Sequence, residues 1–148
     1  MDDIDKKILK RLQTNSRITI SDLSAEISLS VPAIRERLKK LETSGAIKQY
    51  TAILDPAIFN KHLMALIFLR FNSPKLGDKF TSFAHTEKEI KECYYITGDF
   101  DYCLKIVTQD TSTLESLLAR IKNMPGITKT QTIVMLSTII DNPSISPD

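Results

Sequence analysis

Four cationic side chains are concentrated on one short segment: Arg35, Arg37, Lys39 and Lys40. Arginine and lysine neutralise phosphates, so a cluster of them on one surface is typical of a protein that binds nucleic acid. Small residues at positions 30–33 would let a helix that begins there approach phosphates and base edges closely. The segment therefore has the chemistry of a helix that contacts DNA.

The surrounding apolar spacing predicts two short helices joined by a turn at residues 28–30. Ser30 suits the N-cap of the second helix, Pro32 is tolerated in its first turn, and Gly45 ends it. This arrangement is a helix-turn-helix, whose second helix enters the major groove of DNA. The predicted DNA-binding residues are Ser30, Val31, Pro32, Ala33, Arg35, Glu36, Arg37, Lys39 and Lys40.

A solvated surface helix is the alternative interpretation of the same segment. Glu36 and Glu42 stand at helical spacing from the cations and can pair with them. The preceding helix and the short turn favour the helix-turn-helix. With a first helix near residues 4–12, the N-terminal region is predicted to be a three-helix, winged helix-turn-helix domain over residues 1–49.

Residues 63–136 alternate in the order β-α-β-β-α-β, which is the split unit of a ferredoxin-like sandwich. Strands are predicted at residues 63–71, 90–97, 102–108 and 128–136. One helix opens at Ser73-Pro74 and carries Leu76, and the other opens at a capping box over residues 112–115. The fold class is thus α+β. Residues 50–62 are predicted to connect the domains, partly as a strand, and residues 63–148 form the second domain, which ends in a loose tail from residue 141.

The first of these strands is apolar on both faces, because Met64, Leu66 and Phe68 alternate with equally apolar neighbours. Two helices can cover only one face of a four-stranded sheet, so the other face must be buried differently. A second copy packed across a two-fold axis would cover it. Coverage by the connector or the tail is the alternative.

Composition excludes several classes of protein. The chain has 148 residues with 20 basic and 18 acidic side chains, and its longest apolar run, residues 63–69, is too short to span a membrane. The acidic N-terminus does not resemble a signal peptide, so a cytoplasmic protein is expected. The predicted DNA binding would make it nucleoid-associated. Two cysteines, Cys93 and Cys103, form no disulfide framework and are interpreted as buried reduced thiols. We find no phosphate-binding loop, metalloprotease motif or nucleophile elbow, and predict no enzyme, metal or cofactor.

Several motifs resemble the Lrp/AsnC (feast/famine) transcription regulators. They are Asp3–Leu9, Leu29-Ser30 with Arg37–Glu42, Gly45–Ile47, Tyr95–Tyr102, and Met124–Ile127 with Thr130–Val134, in the family's order. The resemblance covers about residues 2–136. It implies a helix-turn-helix, a connecting strand and a C-terminal ligand-sensing (RAM) domain, in dimers that assemble into tetramers or octamers and bind amino acids where dimers meet. Ser28 departs from the pattern, because a glycine is common in that turn.

The candidate effector-binding residues are Gly98, Asp99, Phe100, Asp101, Thr130 and Thr132. Asp99 and Asp101 could neutralise an ammonium group, amides near Gly98 could meet a carboxylate, and the threonines could add hydroxyl contacts. The alternatives are ordinary turn chemistry at residues 98–101 and ordinary exposed strand threonines.

The sequence therefore predicts a sequence-specific transcription regulator that binds double-stranded DNA, itself and an amino acid or related metabolite, and no membrane. Two alternatives stay open. One is an architectural DNA-binding protein without an effector, and the other is a ferredoxin-like metabolite-binding protein or enzyme.

Overall fold

The computed structural model describes residues 1–73 and 77–147, which form two compact units. We call residues 1–53 with 140–147 the helical unit, and residues 54–139 the sheet unit. Pro74 and Leu76, which we predicted at the start of a helix, lie outside the described residues. No helix within the described ranges has the length and apolar content needed to cross a membrane.

The helical unit contains α1 (Asp3–Thr14), α2 (Ile20–Ile27) and α3 (Val31–Thr43). Each helix begins at a side chain that accepts a hydrogen bond from a backbone N–H three residues ahead; these caps are Asp2, Thr19 and Ser30. The helices enclose a core of Ile8, Leu23, Ile34 and Leu41. The described part of this unit has no β-strand, so the wing that we predicted is not formed by a strand here.

Ser28 ends α2 in the left-handed region, with φ 59° and ψ 44°. A side chain with a Cβ atom is strained in this conformation, whereas glycine adopts it freely. Leu29 continues the turn by donating its N–H to the Ser24 carbonyl at 3.1 Å. The turn thus has the backbone that favours glycine, although the residue is serine.

Replacing Ser28 by glycine should raise the free energy of unfolding by about 0.5–1 kcal/mol, because relief of the strain exceeds the added entropy of the unfolded chain. Urea denaturation followed by circular dichroism would measure the change. Ala25→Gly, at an exposed position inside α2, should instead lower stability by about 1 kcal/mol. A loss of stability in both variants would contradict the strain at Ser28.

The sheet unit follows the predicted order of elements. After a short 3₁₀ helix (Pro56–Phe59) come β1 (Leu63–Phe71), α4 (Gly77–Thr86), β2 (Ile90–Tyr95), β3 (Tyr102–Thr108), α5 (Thr111–Lys122) and β4 (Ile127–Met135). The strands lie in the order β2-β3-β1-β4, and all neighbours are antiparallel. This is the ferredoxin-like topology, and the α+β prediction is confirmed.

Three local predictions differ from the structure. Residues 50–55 of the connector form neither helix nor strand. The capping box of α5 joins Asp110 and Thr113, not residues 112 and 115, because Asp110 starts the helix earlier and its carboxylate accepts the Thr113 N–H at 2.9 Å. The tail, which we assigned to the second domain, packs with the helical unit over residues 140–147.

The carboxylates of Asp2 and Asp110 have pKa values below their ordinary value of 3.8. The main cause is a backbone N–H, that of Asp5 for Asp2 and that of Thr113 for Asp110. Because folding lowers these pKa values, the stabilisation is complete above pH 3.8 and is lost as the pH falls below it.

The chain should therefore lose stability between about pH 4 and pH 2. Asp110→Asn keeps an N-cap acceptor but cannot ionise, so its urea midpoint should fall less steeply over the same range than that of the unaltered chain. Identical slopes for the two proteins would contradict the role of the Asp110 carboxylate.

Pairing registers divide the sheet into two faces. On β1, Ala65, Ile67 and Leu69 are buried in the core with α4 and α5. The alternate side chains define the open face: Met64, Leu66, Phe68, Glu92, Tyr94, Cys103, Lys105, Val107, Gln131, Ile133 and Met135. Most side chains of this face are apolar, and Lys105 forms an ion pair with Glu92 on it at 2.9 Å.

Cys93 and Cys103 do not face each other. Cys93 lies opposite Leu104, and Cys103 lies opposite Tyr94, so the two thiols belong to different faces of the sheet. Cys103 is half-buried and burial raises the pKa of its thiol. Cys93 is exposed, which corrects our prediction of two buried thiols; it lies on β2, an edge strand of the sheet.

Candidate DNA interface and ligand pocket

α3 presents a cationic surface on the side opposite its buried residues. Ile34 and Leu41 are buried in the helical core, whereas Arg35, Lys39 and Lys40 are exposed. We call these three exposed residues the cationic triplet. Of the other predicted DNA-binding residues, Ser30, Pro32 and Glu36 are exposed, and Val31, Ala33 and Arg37 are half-buried.

The N-terminus of α3 is fixed by its contacts with α2. Ser30 Oγ accepts the Ala33 N–H at 3.4 Å, and the Ser24 hydroxyl donates to the Leu29 carbonyl. Leu23 and Ile34 meet in the core. The end of α3 that we expect to approach DNA is therefore held by both backbone and core contacts.

The glutamates near the cationic triplet do not neutralise it. In the part of the chain that the structure describes, no ion pair joins Glu36 or Glu42 to Arg35, Lys39 or Lys40. Glu42 instead accepts a hydrogen bond from the Tyr50 hydroxyl at 3.0 Å. The arrangement favours an anion-binding surface over the self-paired, solvated helix that was the alternative.

Arg37 has a different environment from the cationic triplet. Its Nη1 donates to Asp2 Oδ2 and Asp5 Oδ1, each at 2.7 Å, and Asp5 is buried. Hydrogen bonds to Asp2 and Asp5 raise the pKa of the Arg37 guanidinium. We predicted Arg37 among the DNA-binding residues, but its guanidinium is occupied by α1, so it positions α3 against α1.

The six predicted effector residues do not meet in one place. Gly98 and Asp99 are exposed in the turn, where Gly98 has φ 109°. Phe100 packs on Phe68 with ring centroids 5.6 Å apart, and Lys129 Nζ lies 5.1 Å from its centroid. These contacts place Phe100 at the end of the open face.

Thr130 and Thr132 share one face of β4, as predicted, and both are half-buried. They lie opposite Leu69 and Ile67, two core residues of β1. The threonines are therefore on the helix-covered side of the sheet, on the opposite side from Phe100.

Asp101 ties the hairpin to the end of β1. Its backbone N–H donates to the Leu69 carbonyl at 2.8 Å, and its Oδ2 accepts the Phe71 N–H at 2.7 Å. The carboxylate also lines a pocket of about 350 Å³ with Phe71, Asn72, Ser73, Gly77, Tyr95 and Tyr102. Of the six predicted effector residues, Asp101 alone lines this pocket.

Tyrosine packing shapes the same pocket. Tyr95 and Tyr102 lie directly opposite each other across β2 and β3, with ring centroids 5.3 Å apart. A Cβ atom at Gly77 would lie 2.5 Å from the Tyr102 hydroxyl, so a larger residue there would displace the ring. Neither tyrosine is among the predicted effector residues; their placement on both sides of one hairpin was the signal that they could line a site.

Comparison with known proteins identifies both units. Residues 1–42 match the AsnC-type helix-turn-helix domain, and residues 63–145 match the Lrp/AsnC ligand binding domain. The HTH-type transcriptional regulator FL11 of Pyrococcus horikoshii is 36% identical, over 93% of this chain and 91% of that protein. The leucine-responsive regulatory protein of Escherichia coli K12 is 34% identical, over 94% of this chain and 87% of that protein.

Among solved structures, a transcriptional regulator of Neisseria meningitidis, NMB0573, in complex with L-Met has a TM-score of 0.92. The two proteins are 30% identical, and the match covers 98% of this chain and 96% of the N. meningitidis chain. LrpC of Bacillus subtilis has a TM-score of 0.85 at 31% identity, and the match covers 95% of this chain and 97% of LrpC. With its helix-turn-helix, ferredoxin-like sheet and matching relatives, the chain belongs to the Lrp/AsnC family of DNA-binding transcription regulators.

Proposed function

We propose that this regulator reads DNA with the exposed surface of α3. The observation that carries the proposal is the cationic triplet, whose side chains point away from the core without an acidic partner among the described residues. Lys39 and Lys40, further along the helix, suit phosphate contacts, which supply affinity without sequence choice. Ser30, Pro32 and Arg35, at its start, suit base edges and neighbouring phosphates.

Two copies of the chain would act together through the open face of the sheet. That face exposes Ile133 (45%) and Tyr94 (53%), and its half-buried members include Leu66 and Phe68. Burial of apolar area of this kind is the main driving force for association. A dimer would hold two α3 helices about 34 Å apart, one turn of DNA. Assembly of dimers into tetramers or octamers stays a prediction.

The effector in this proposal is a free amino acid, and its site includes the pocket at Asp101. The relative from N. meningitidis was solved with L-Met, and the family model that matches the sheet unit is a ligand-binding domain. The Asp101 carboxylate suits an ammonium group, while Asn72, Ser73 and the tyrosine hydroxyls could hydrogen-bond a carboxylate. The protein would act on DNA in the cytoplasm.

Isothermal titration of the protein with L-methionine and the other amino acids, one at a time, tests the effector. Asp101→Asn keeps an oxygen that accepts the Phe71 N–H but removes the charge, so it should weaken binding about ten-fold. Asp99→Asn, in the exposed turn, should change binding less than two-fold. Absence of heat with every amino acid would favour the architectural DNA-binding alternative, and equal loss in both variants would contradict the pocket.

A further inference from the structure

The C-terminal tail makes a specific contact with α1. Gln13 Nε2 donates to the Ile145 carbonyl at 2.9 Å, and the Ile145 N–H donates to Gln13 Oε1 at 2.7 Å. One side-chain amide thus satisfies both backbone groups of a residue 132 positions away in sequence. Paired bonds of this kind fix the register of the tail on the helix, which a nonspecific apolar contact would not do.

The tail lies over an apolar groove of the helical unit. Leu9 and Leu12 of α1 form one side of the groove, and Ile47, Tyr50 and Ile53 of the segment after α3 form the other. Pro143, Ile145 and Pro147 line the same space, a cavity of about 550 Å³. The tail therefore forms one wall of a groove whose other walls belong to the same chain.

The composition of the tail suits a segment that docks and detaches. Pro143 and Pro147 restrict the backbone on both sides of Ile145, which lowers the entropy lost on docking. The Ser144 N–H donates to Asn142 Oδ1 at 3.0 Å, which shapes the approach to the groove. Ile145 is nevertheless 76% exposed. A segment with little buried area opens at low cost, so docking should be reversible.

α1 also contacts the DNA-binding helix at its other end. Asp2 and Asp5, at the start of α1, hold Arg37 of α3, while Gln13, at its end, holds the tail. The tail follows β4, the strand that carries Thr130 and Thr132. Residues 136–141 join the end of β4 to the tail, so the tail connects the sheet unit covalently to a segment bound to α1.

The geometry points to residues 142–147 as a strap that binds the helical unit at the groove through Gln13. Docking and release of this strap would couple the sheet unit to α3. The coupling half of this inference rests on the proposed amino-acid response. The docking half depends on the contacts of the tail alone.

Amide hydrogen exchange of the full chain tests docking. The Ile145 N–H should exchange at least about ten-fold more slowly than in Gln13→Ala, because that variant loses both hydrogen bonds. Gln49→Ala removes an amide that lines the same groove but leaves the Gln13 bonds in place, so it should leave the Ile145 rate unchanged. Equal rates in all three proteins would overturn the strap. Protection that disappears on dilution would also overturn it, since the groove would then be filled by the tail of a second copy.

Fluorescence anisotropy of a labelled operator fragment, with and without L-methionine or whichever amino acid gives heat in the titration above, tests the coupling. Gln13→Ala should bind DNA within about two-fold of the unaltered chain but lose most of the amino-acid effect. An unchanged effect would overturn the coupling. A chain that shows Ile145 protection but no response to any amino acid would contradict the proposed effector and leave the strap supported by its own test.

Discussion

Replacement of Lys39 and Lys40 together by glutamine should weaken DNA binding by about ten- to a hundred-fold at 0.1 M salt. Each lysine that neutralises a phosphate releases a condensed counterion, which contributes about 0.9 to the slope of log K against log salt. Loss of two such contacts in each protomer should therefore flatten the slope by about 2 per protomer. Both effects should be similar for operator and unrelated DNA, because phosphates carry no sequence information.

A matched control for this pair is Lys79→Gln with Lys88→Gln. These two lysines are also exposed, but they belong to the sheet unit. The control makes the same change in net charge, so bulk electrostatics alone would alter binding equally in both double variants. Fluorescence anisotropy between 0.05 and 0.3 M salt separates the outcomes. An unchanged affinity and slope in the Lys39/Lys40 variant would remove these lysines from the interface.

The second large effect is expected at the open face, where Ile133→Lys should raise the dissociation constant of the dimer at least about a thousand-fold. Ile133 lies opposite Leu66 in the register of β1 and β4 and is 45% exposed in the single chain. A lysine there costs little in an isolated subunit. In a dimer joined through this face the charge would be buried without a partner, at a cost of several kcal/mol.

Val134→Lys provides the comparison for this variant. Val134 is the next residue of the same strand and is 46% exposed, but it lies opposite Ala65 on the other face. The two substitutions therefore match in residue class and exposure and differ only in face. Sedimentation equilibrium should find a monomer for Ile133→Lys and a dimer for Val134→Lys; the reverse result would place the dimer interface elsewhere.

Local sequence patterns predicted most of the fold because its elements depend on nearby residues. Strands β1 and β3 have the predicted bounds, and the cap of α3 is Ser30, as expected. The start of α5 was misplaced because residues 112–115 match a capping box, while Asp110 offers a competing cap two residues earlier. Such errors arise where two local signals overlap.

The candidate sites were predicted less completely, because their geometry depends on distant residues. The partners of Arg37, Asp2 and Asp5, lie 32 or more positions away, so spacing within α3 could not show that its guanidinium is occupied. Asp101 stays a predicted effector residue, and its neighbours in the pocket, Gly77 and Phe71, join it only through the packing of the sheet. The docking of the tail on Gln13 had no local signal at all.

Hydroxyl-radical footprinting of the protein on a bound genomic fragment tests the central claim most directly. Two α3 helices presented by one dimer should protect two patches about ten base pairs apart on the same side of the duplex. Ile133→Lys, which is expected to be monomeric, should lose the paired protection at the same protein concentration. A single protected patch for the unaltered chain, or two patches that persist in the monomeric variant, would contradict the account.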